Sequence, residues 1–209
     1  MRNALLFAAT LCAFSSAPAL AQSDTQVRET IGESVGDATG RIGALTPVSC
    51  VGASIPPSTD RDALFALVRK NFTPETDEEQ RAMRAVGAAL QSCRGRFGWG
   101  DARQNAALAY FRGGLIREQA ASRLVDYGVT VDQFEAALEA LSDADRQRLI
   151  DEAVTSGSAM TAAARALESQ GAAFGAPQGE ELQRIGQAIG QGLIGELATN
   201  QAEQAYRGH

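Results

Sequence analysis

The sequence has almost none of the side chains that enzymes use for nucleophilic or metal chemistry. Its 209 residues include one histidine, the terminal His209, and one lysine, Lys70. A serine–histidine or cysteine–histidine pair needs a positioned imidazole, which a chain end rarely provides. Zinc and iron sites need several histidine or cysteine ligands. We therefore predict no nucleophilic triad, no metal site and no cofactor.

Long apolar runs are also lacking, apart from a short one at the start of the chain. Residues 1–21 are typical of a secretory leader, with Arg2 as the positive end, an apolar stretch over 4–14, and a small-residue cleavage site ending at Ala21. No later window approaches about twenty apolar residues, so we predict no membrane-spanning segment. The mature chain is expected to be periplasmic or secreted, with cleavage after Ala21.

Cysteine is scarce, and its placement favours a single disulfide. Cys12 lies in the predicted leader, which leaves Cys50 and Cys93 as an even pair. In an oxidising compartment such a pair predicts a bridge. Closing a loop of about 43 residues should stabilise the fold by roughly 4 kcal/mol. The alternative is two buried free thiols, with Cys93 filling the apolar stripe of its helix.

Basic residues are fewer than acidic ones: 19 Lys and Arg stand against 25 Asp and Glu, for a formal net charge of −6. General nucleic-acid binding depends on a basic surface that neutralises phosphates. The segment 116–138 has a spacing similar to a DNA-reading helix-turn-helix. Because the chain is acidic and carries a leader, we interpret it as an ordinary helical hairpin and predict no nucleic-acid partner.

Proline is sparse and β-branched runs are nearly absent, whereas alanine is abundant, and this balance favours helices. The strongest helix signal begins at Thr76, which forms a capping box with Glu79. An apolar stripe follows at spacings of three and four, made of Ala82, Met83, Val86, Ala89, Leu90 and Cys93. We predict an all-α fold, an irregular antiparallel bundle of about six to eight helices with glycine-rich amphipathic segments at both ends.

The mature chain divides into four segments by composition. A glycine-rich N-terminal segment and loop covers 22–57, a helical core domain covers 58–170, a linker covers 171–179, and a C-terminal amphipathic helix covers 180–209. We place Cys50 in the loop at the end of the first segment. The linker assignment rests on its glycine, alanine and proline content.

A shared glycine pattern marks both ends of the mature chain. Ile31-Gly32 is followed four residues later by Val35-Gly36, and Ile185-Gly186 by Ile189-Gly190. Small residues four apart form a groove that lets another backbone approach closely. One interpretation is that the two ends pack on the core or on each other. The other is that they mediate self-association or contact with a membrane interface.

Positive charge and aromatic residues concentrate between Arg94 and Arg123. The candidate ligand-binding residues are Arg94, Arg96, Trp99, Arg103, Tyr110 and Arg117. If the helix that starts near Asp101 continues through Gly113-Gly114, the last three recur every seven residues and share one face. Such a face could bind a carboxylate, a phosphate or a glycan. The alternative is that the arginines are solvated or serve the helix end and that Trp99 fills the core.

These features favour an exported cell-envelope protein that works as a non-catalytic binding or assembly factor. Its partner would be an anionic envelope polymer or an envelope protein. One alternative is a self-associating structural or membrane-interface protein built on the glycine patterns. Another is an envelope hydrolase, because a glycosidase needs only two carboxylates at the right separation. The sequence specifies no oligomeric state.

Overall fold

The structure is a computed structural model that describes residues 46–153 and 155–209. The predicted leader, most of the 22–57 segment and the N-terminal copy of the glycine pattern lie outside the described residues. Within the described ranges the fold is all-α, with eight α-helices and no strand. The predicted fold class and helix number are therefore confirmed.

The helices follow one another with short connections. They are α1 (Cys50–Ser54), α2 (Arg61–Arg69), α3 (Asp77–Phe97), α4 (Asp101–Arg123), α5 (Gln133–Glu139), α6 (Asp143–Glu152), α7 (Gly157–Ser169) and α8 (Gly179–Arg207). Short 3₁₀ turns, Pro47–Ser49 and Val125–Tyr127, precede α1 and α5. Even the 29-residue α8 lacks an apolar stretch long enough to cross a bilayer, and so do the other described helices.

The predicted capping box at the start of α3 is present. The Glu79 backbone N–H donates to Thr76 Oγ1 over 3.2 Å, and Glu79 Oε2 accepts from the backbone N–H of Thr76 and of Glu75. The ammonium of Lys70 donates to the other carboxylate oxygen over 2.8 Å. The Glu79 side chain is thus buried with its acceptors satisfied, which is the condition for burying a charge.

The apolar stripe of α3 is narrower than predicted, and the helix is longer. Its described buried members are Ala82, Val86, Ala89 and Cys93, whereas Met83 is exposed. The helix continues past Cys93 to Phe97 and ends at Gly98, whose φ of +62° favours glycine. The connection between α3 and α4 is therefore confined to Gly98 and the two residues after it.

The disulfide between Cys50 and Cys93 is present, with the two Cα atoms 6.0 Å apart. The alternative of two free thiols is thus wrong. Cys50 does not lie in a loop as predicted, because it begins α1. Both cysteines are buried, so the bridge ties a short helix to the end of α3 inside the apolar core.

Two apolar clusters make up the core. One joins α1, α2, α3 and the first half of α4 around the disulfide, and includes Trp99 and Phe111. The other joins the end of α4 with α5, α7 and the first half of α8, and includes Phe134 and Leu193. The predicted linker contributes to this second cluster, since Ala172 and Phe174 are buried.

Helices α4 and α8 pack so closely that glycine is required at the contact. A Cβ placed on Gly113 would lie 2.8 Å from the carbonyl oxygen of Gly195 and 2.9 Å from the backbone nitrogen of Thr199. A Cβ on Gly195 would lie 2.9 Å from the backbone nitrogen of Arg117. Helix α4 accordingly runs unbroken through Gly113-Gly114.

The C-terminal helix therefore packs on the core, as one of the two interpretations predicted. The close approach, however, does not use the predicted pair Gly186 and Gly190. Among the described residues, the atom nearest to a Cβ on Gly186 would lie at 4.0 Å and the atom nearest to a Cβ on Gly190 at 3.9 Å. The glycines that α8 buries against its neighbours are Gly192, against Phe134, and Gly195, against α4.

Candidate functional site

The face of α4 that carries Arg103, Tyr110 and Arg117 is directed at α8. Arg117 forms an ion pair with Glu196, whose side chain is almost completely buried. The guanidinium of Arg103 lies 5.6 Å above the ring of Tyr206. Tyr110 is half-buried, and this burial raises the pKa of its phenol. Because α4 is unbroken, the three residues share one face as predicted. This face, however, packs against α8.

Trp99 is part of the core, with 3 % of its surface exposed. Its indole N–H donates to the Tyr206 hydroxyl over 2.6 Å, and the two rings meet edge to face. Phe97 stacks against the indole with centroids 5.8 Å apart. Its burial fits the alternative interpretation, in which Trp99 fills the core.

Arg94 and Arg96 are the exposed members of the candidate set. Arg94 bridges the end of α3 to the start of α4, donating to Gln104 Oε1 over 2.7 Å and lying 3.2 Å from Asp101. Arg96 lies over the ring of Phe97. The structure therefore does not bring the candidate residues together at one open site.

The Arg117–Glu196 pair should contribute substantially to stability. Replacing Glu196 with alanine leaves a mostly buried guanidinium without its counterion, and Arg117 Nε is already buried without a hydrogen-bond partner among the described residues. We expect this change to lower the free energy of unfolding by about 3 kcal/mol, measured by equilibrium urea unfolding.

The control for that variant is Glu203→Ala on the same helix. Glu203 pairs with Arg207 one turn away on the surface, and such exposed pairs contribute less than about 0.5 kcal/mol. Equal effects of the two substitutions would show that Arg117 and Glu196 do not form a buried pair in solution.

An open cleft with two guanidinium groups lies elsewhere, between the end of α4 and the first half of α8. We call it the arginine cleft; it encloses about 440 Å³ and is lined by Arg123, Asp126, Tyr127, Arg184, Ile185 and Gln187. Arg123 Nη1 donates to Gln191 Oε1 over 2.7 Å. The Tyr127 hydroxyl donates to Glu181 over 2.7 Å, and this hydrogen bond raises the pKa of the phenol.

Only one side of the arginine cleft is marked in the sequence. Arg123 belongs to the arginine-rich stretch that the sequence singles out, and Tyr127 follows it closely. Arg184 comes from α8, where no local concentration of positive charge marks it. Its approach to Tyr127 depends on how α8 packs, which no sequence spacing specifies.

A second cleft, mostly apolar, lies between α7 and α8. We call it the apolar cleft; it encloses about 480 Å³, and its lining includes Met160, Phe174, Pro177, Leu182, Ile185 and Ile189. Leu182 stands at its mouth with 55 % of its surface exposed. The two clefts share Ile185, and the rings of Tyr127 and Phe174, one from each cleft, lie 5.7 Å apart.

The most buried carboxylates of the described residues are Glu79 and Glu196, and each is neutralised by a cation. The hydrogen bond from Lys70 lowers the pKa of Glu79, with further lowering by the backbone N–H of Glu75. A general acid of a glycosidase needs the opposite shift, a raised pKa. Glu79 therefore acts as a helix cap and an ion-pair partner.

Compared with known proteins, the chain matches no family model, and neither the curated proteins nor the solved structures contain a significant match to it.

Proposed function

We propose that the protein is an exported cell-envelope factor that binds, without catalysis, an anionic envelope polymer at the arginine cleft. The observation that carries this proposal is the convergence of Arg123 and Arg184, from two different helices, on one cleft of about 440 Å³. Guanidinium groups bind carboxylates and phosphates through paired hydrogen bonds, which gives geometric selectivity as well as energy.

The charges of the cleft support an anionic ligand. Among the described lining residues two guanidinium groups stand against one carboxylate, Asp126, and the neighbouring Glu181 carboxylate already accepts the hydrogen bond of the Tyr127 hydroxyl. Arg184 makes no hydrogen bond or ion pair within the described ranges, and Arg123 uses one of its five N–H donors on Gln191. Donors thus remain available to a ligand.

Tyr127 supports a polymer with sugar rings rather than a small ion alone. Its hydroxyl is held by Glu181 and its ring is packed against Phe174. The ring therefore forms a fixed wall beside the two guanidinium groups. A carboxylated glycan has a flat apolar sugar face, which can pack on the tyrosine ring, and an anion, which can bind the guanidinium groups.

The test is charge reversal at the cleft. We expect the double variant Arg123→Glu, Arg184→Glu to bind isolated cell-wall sacculi about tenfold more weakly than the wild type in co-sedimentation, because two favourable charge contacts become repulsive. The matched control is Arg69→Glu, Arg84→Glu. It changes the net charge equally at two exposed arginines of α2 and α3.

Three outcomes would overturn the proposal. Unchanged binding of the cleft variant would show that the arginine cleft is not the binding site. Equal weakening of the control would show that binding is a non-specific charge attraction. Retention of the wild type on phosphatidylglycerol vesicles but not on sacculi would show that the ligand is a membrane surface.

The export part of the proposal rests on the predicted leader over residues 1–21. The Cys50–Cys93 bridge supports it, because disulfides persist in oxidising compartments. We expect protein recovered from producing cells to begin at Gln22, determined by N-terminal sequencing. Recovery of the intact chain from the cytosol, with both remaining thiols open to alkylation, would contradict export.

A further inference from the structure

We infer that the apolar cleft binds the alkyl chain of a single-chain amphiphile with an anionic headgroup. This cleft adjoins the arginine cleft, with which it shares Ile185, but the inference does not depend on the proposed polymer. Its volume of about 480 Å³ lies within the range of small-ligand sites, which are concave and mostly apolar with a few polar groups that orient the ligand.

One wall of the cleft is suited to an alkyl chain. Helix α8 contributes Leu182, Ile185 and Ile189, and the segment before it contributes Phe174 and Pro177. Leu182 exposes more than half of its surface, which is costly for a leucine in water and is relieved when an apolar group covers it. Burial of the chain against this wall would supply the driving force.

The floor of the cleft is open because Gly186 has no side chain. A Cβ at this position would meet nothing closer than the methyl carbon of Met160, at 4.0 Å. Packing of α8 therefore does not require glycine here, although glycine is unfavourable within a helix. The flexible side chain of Met160 can adjust to an inserted chain.

The opposite wall carries the polar groups of the cleft, which determine the headgroup. Thr161, Arg165 and Glu168 lie on one face of α7. Arg165 is the only cation that lines the cleft, and it forms no ion pair within the described residues. An anionic headgroup complements Arg165, while Glu168 repels it and confines it to the Arg165 side of the mouth.

The two methionines of the described chain provide a direct test. Met160 lines the cleft, whereas Met83 is exposed on α3. In the full chain with ¹³C-labelled methionine methyl groups, we expect decanoate, added well below its micelle concentration, to shift the Met160 signal in a saturable way and to leave Met83 unchanged. A chain two methylenes shorter should bind about tenfold more weakly.

Substitutions separate the headgroup contact from the chain contact. We expect Arg165→Glu to weaken decanoate binding about fivefold and Glu168→Gln to leave it equal or tighter. Leu182→Ser should weaken it, whereas Ile150→Ser, at another exposed apolar residue on α6, should not. None of these exposed positions is needed for the core, so the variants are expected to fold.

Four results would overturn the inference. The first is a shift of the Met83 signal together with the Met160 signal, and the second is binding that appears only near the micelle concentration. The third is decanoate binding that Arg165→Glu does not change, and the fourth is binding of decyltrimethylammonium as tight as that of decanoate or tighter. A loss of sacculus binding in the arginine-cleft variant has no bearing on any of them. The two sites can therefore fail separately.

Discussion

Gly195→Val is expected to lower the free energy of unfolding by about 4 kcal/mol or more, which is exceptional for one substitution. A Cβ at this position would lie 2.9 Å from the Arg117 backbone nitrogen and 2.9 Å from the Gly113 carbonyl oxygen. Both are backbone atoms of α4, so no side-chain rotation can make room. The valine would force α4 and α8 apart and would disrupt packing in both apolar clusters.

The same helix provides matched controls. Gly186 and Gly190 also lie within α8, but a Cβ on them would find its nearest neighbour at 4.0 Å and 3.9 Å. We expect Gly186→Ala and Gly190→Ala each to raise the free energy of unfolding by about 0.5 kcal/mol or more, because alanine loses less entropy in a helix than glycine. Equilibrium unfolding in urea measures all of these variants.

Gly190→Val is the size-matched comparison for Gly195→Val. It adds the same β-branched side chain to the same helix and should change the free energy of unfolding by less than about 1 kcal/mol, because valine is no poorer a helix former than glycine and a Cβ at Gly190 meets its nearest described neighbour only at 3.9 Å. If the two valine variants unfolded at the same urea concentration, the close contact between α4 and α8 would not exist in solution.

The helices of this fold follow from short-range signals, which is why they could be predicted. The capping box at Thr76 and Glu79, for example, involves residues only three apart in the sequence. The extent of α4 could not be predicted in this way, because it depends on a long-range contact. Whether a helix continues through Gly113-Gly114 depends on the closeness of α8, because that packing compensates for the poor helix propensity of two glycines.

The glycine pattern of α8 could not be interpreted from spacing alone. Besides Gly179 at its start, α8 contains four glycines, and periodicity does not tell which of them faces a neighbour. The regular pair Gly186 and Gly190 has no close neighbour among the described residues, whereas Gly192 and Gly195 face Phe134 and α4. The deciding information is the position of α4 and α5, which are far away in the sequence.

For the candidate binding residues, too, sequence spacing predicts which residues share a face but not what that face contacts. The heptad spacing of Arg103, Tyr110 and Arg117 correctly predicts a shared face once α4 is continuous. What that face meets is decided by Glu196 and Tyr206 in the last helix. Arg103 and Arg117 of the arginine-rich stretch therefore hold the C-terminal helix, while Arg123 at the edge of the stretch joins Arg184 in an open cleft.

Removal of the disulfide is expected to lower the free energy of unfolding by roughly 4 kcal/mol. The bridge joins residues separated by 43 positions, and without it the unfolded chain regains the corresponding loop entropy. The double variant Cys50→Ala, Cys93→Ala tests this in urea unfolding. The slope of the transition should also become steeper, because an unfolded chain without the cross-link exposes more surface.

The two single variants distinguish the bridge from local packing. Each alone breaks the bridge, so each should cost nearly as much as the double variant, and adding Cys93→Ala to Cys50→Ala should cost only the small cavity left by a buried sulfur atom. Strict additivity of the two single effects would contradict a covalent link. It would mean that Cys50 and Cys93 stabilise α1 and α3 as separate buried thiols, and the case for an oxidising compartment would lose its structural support.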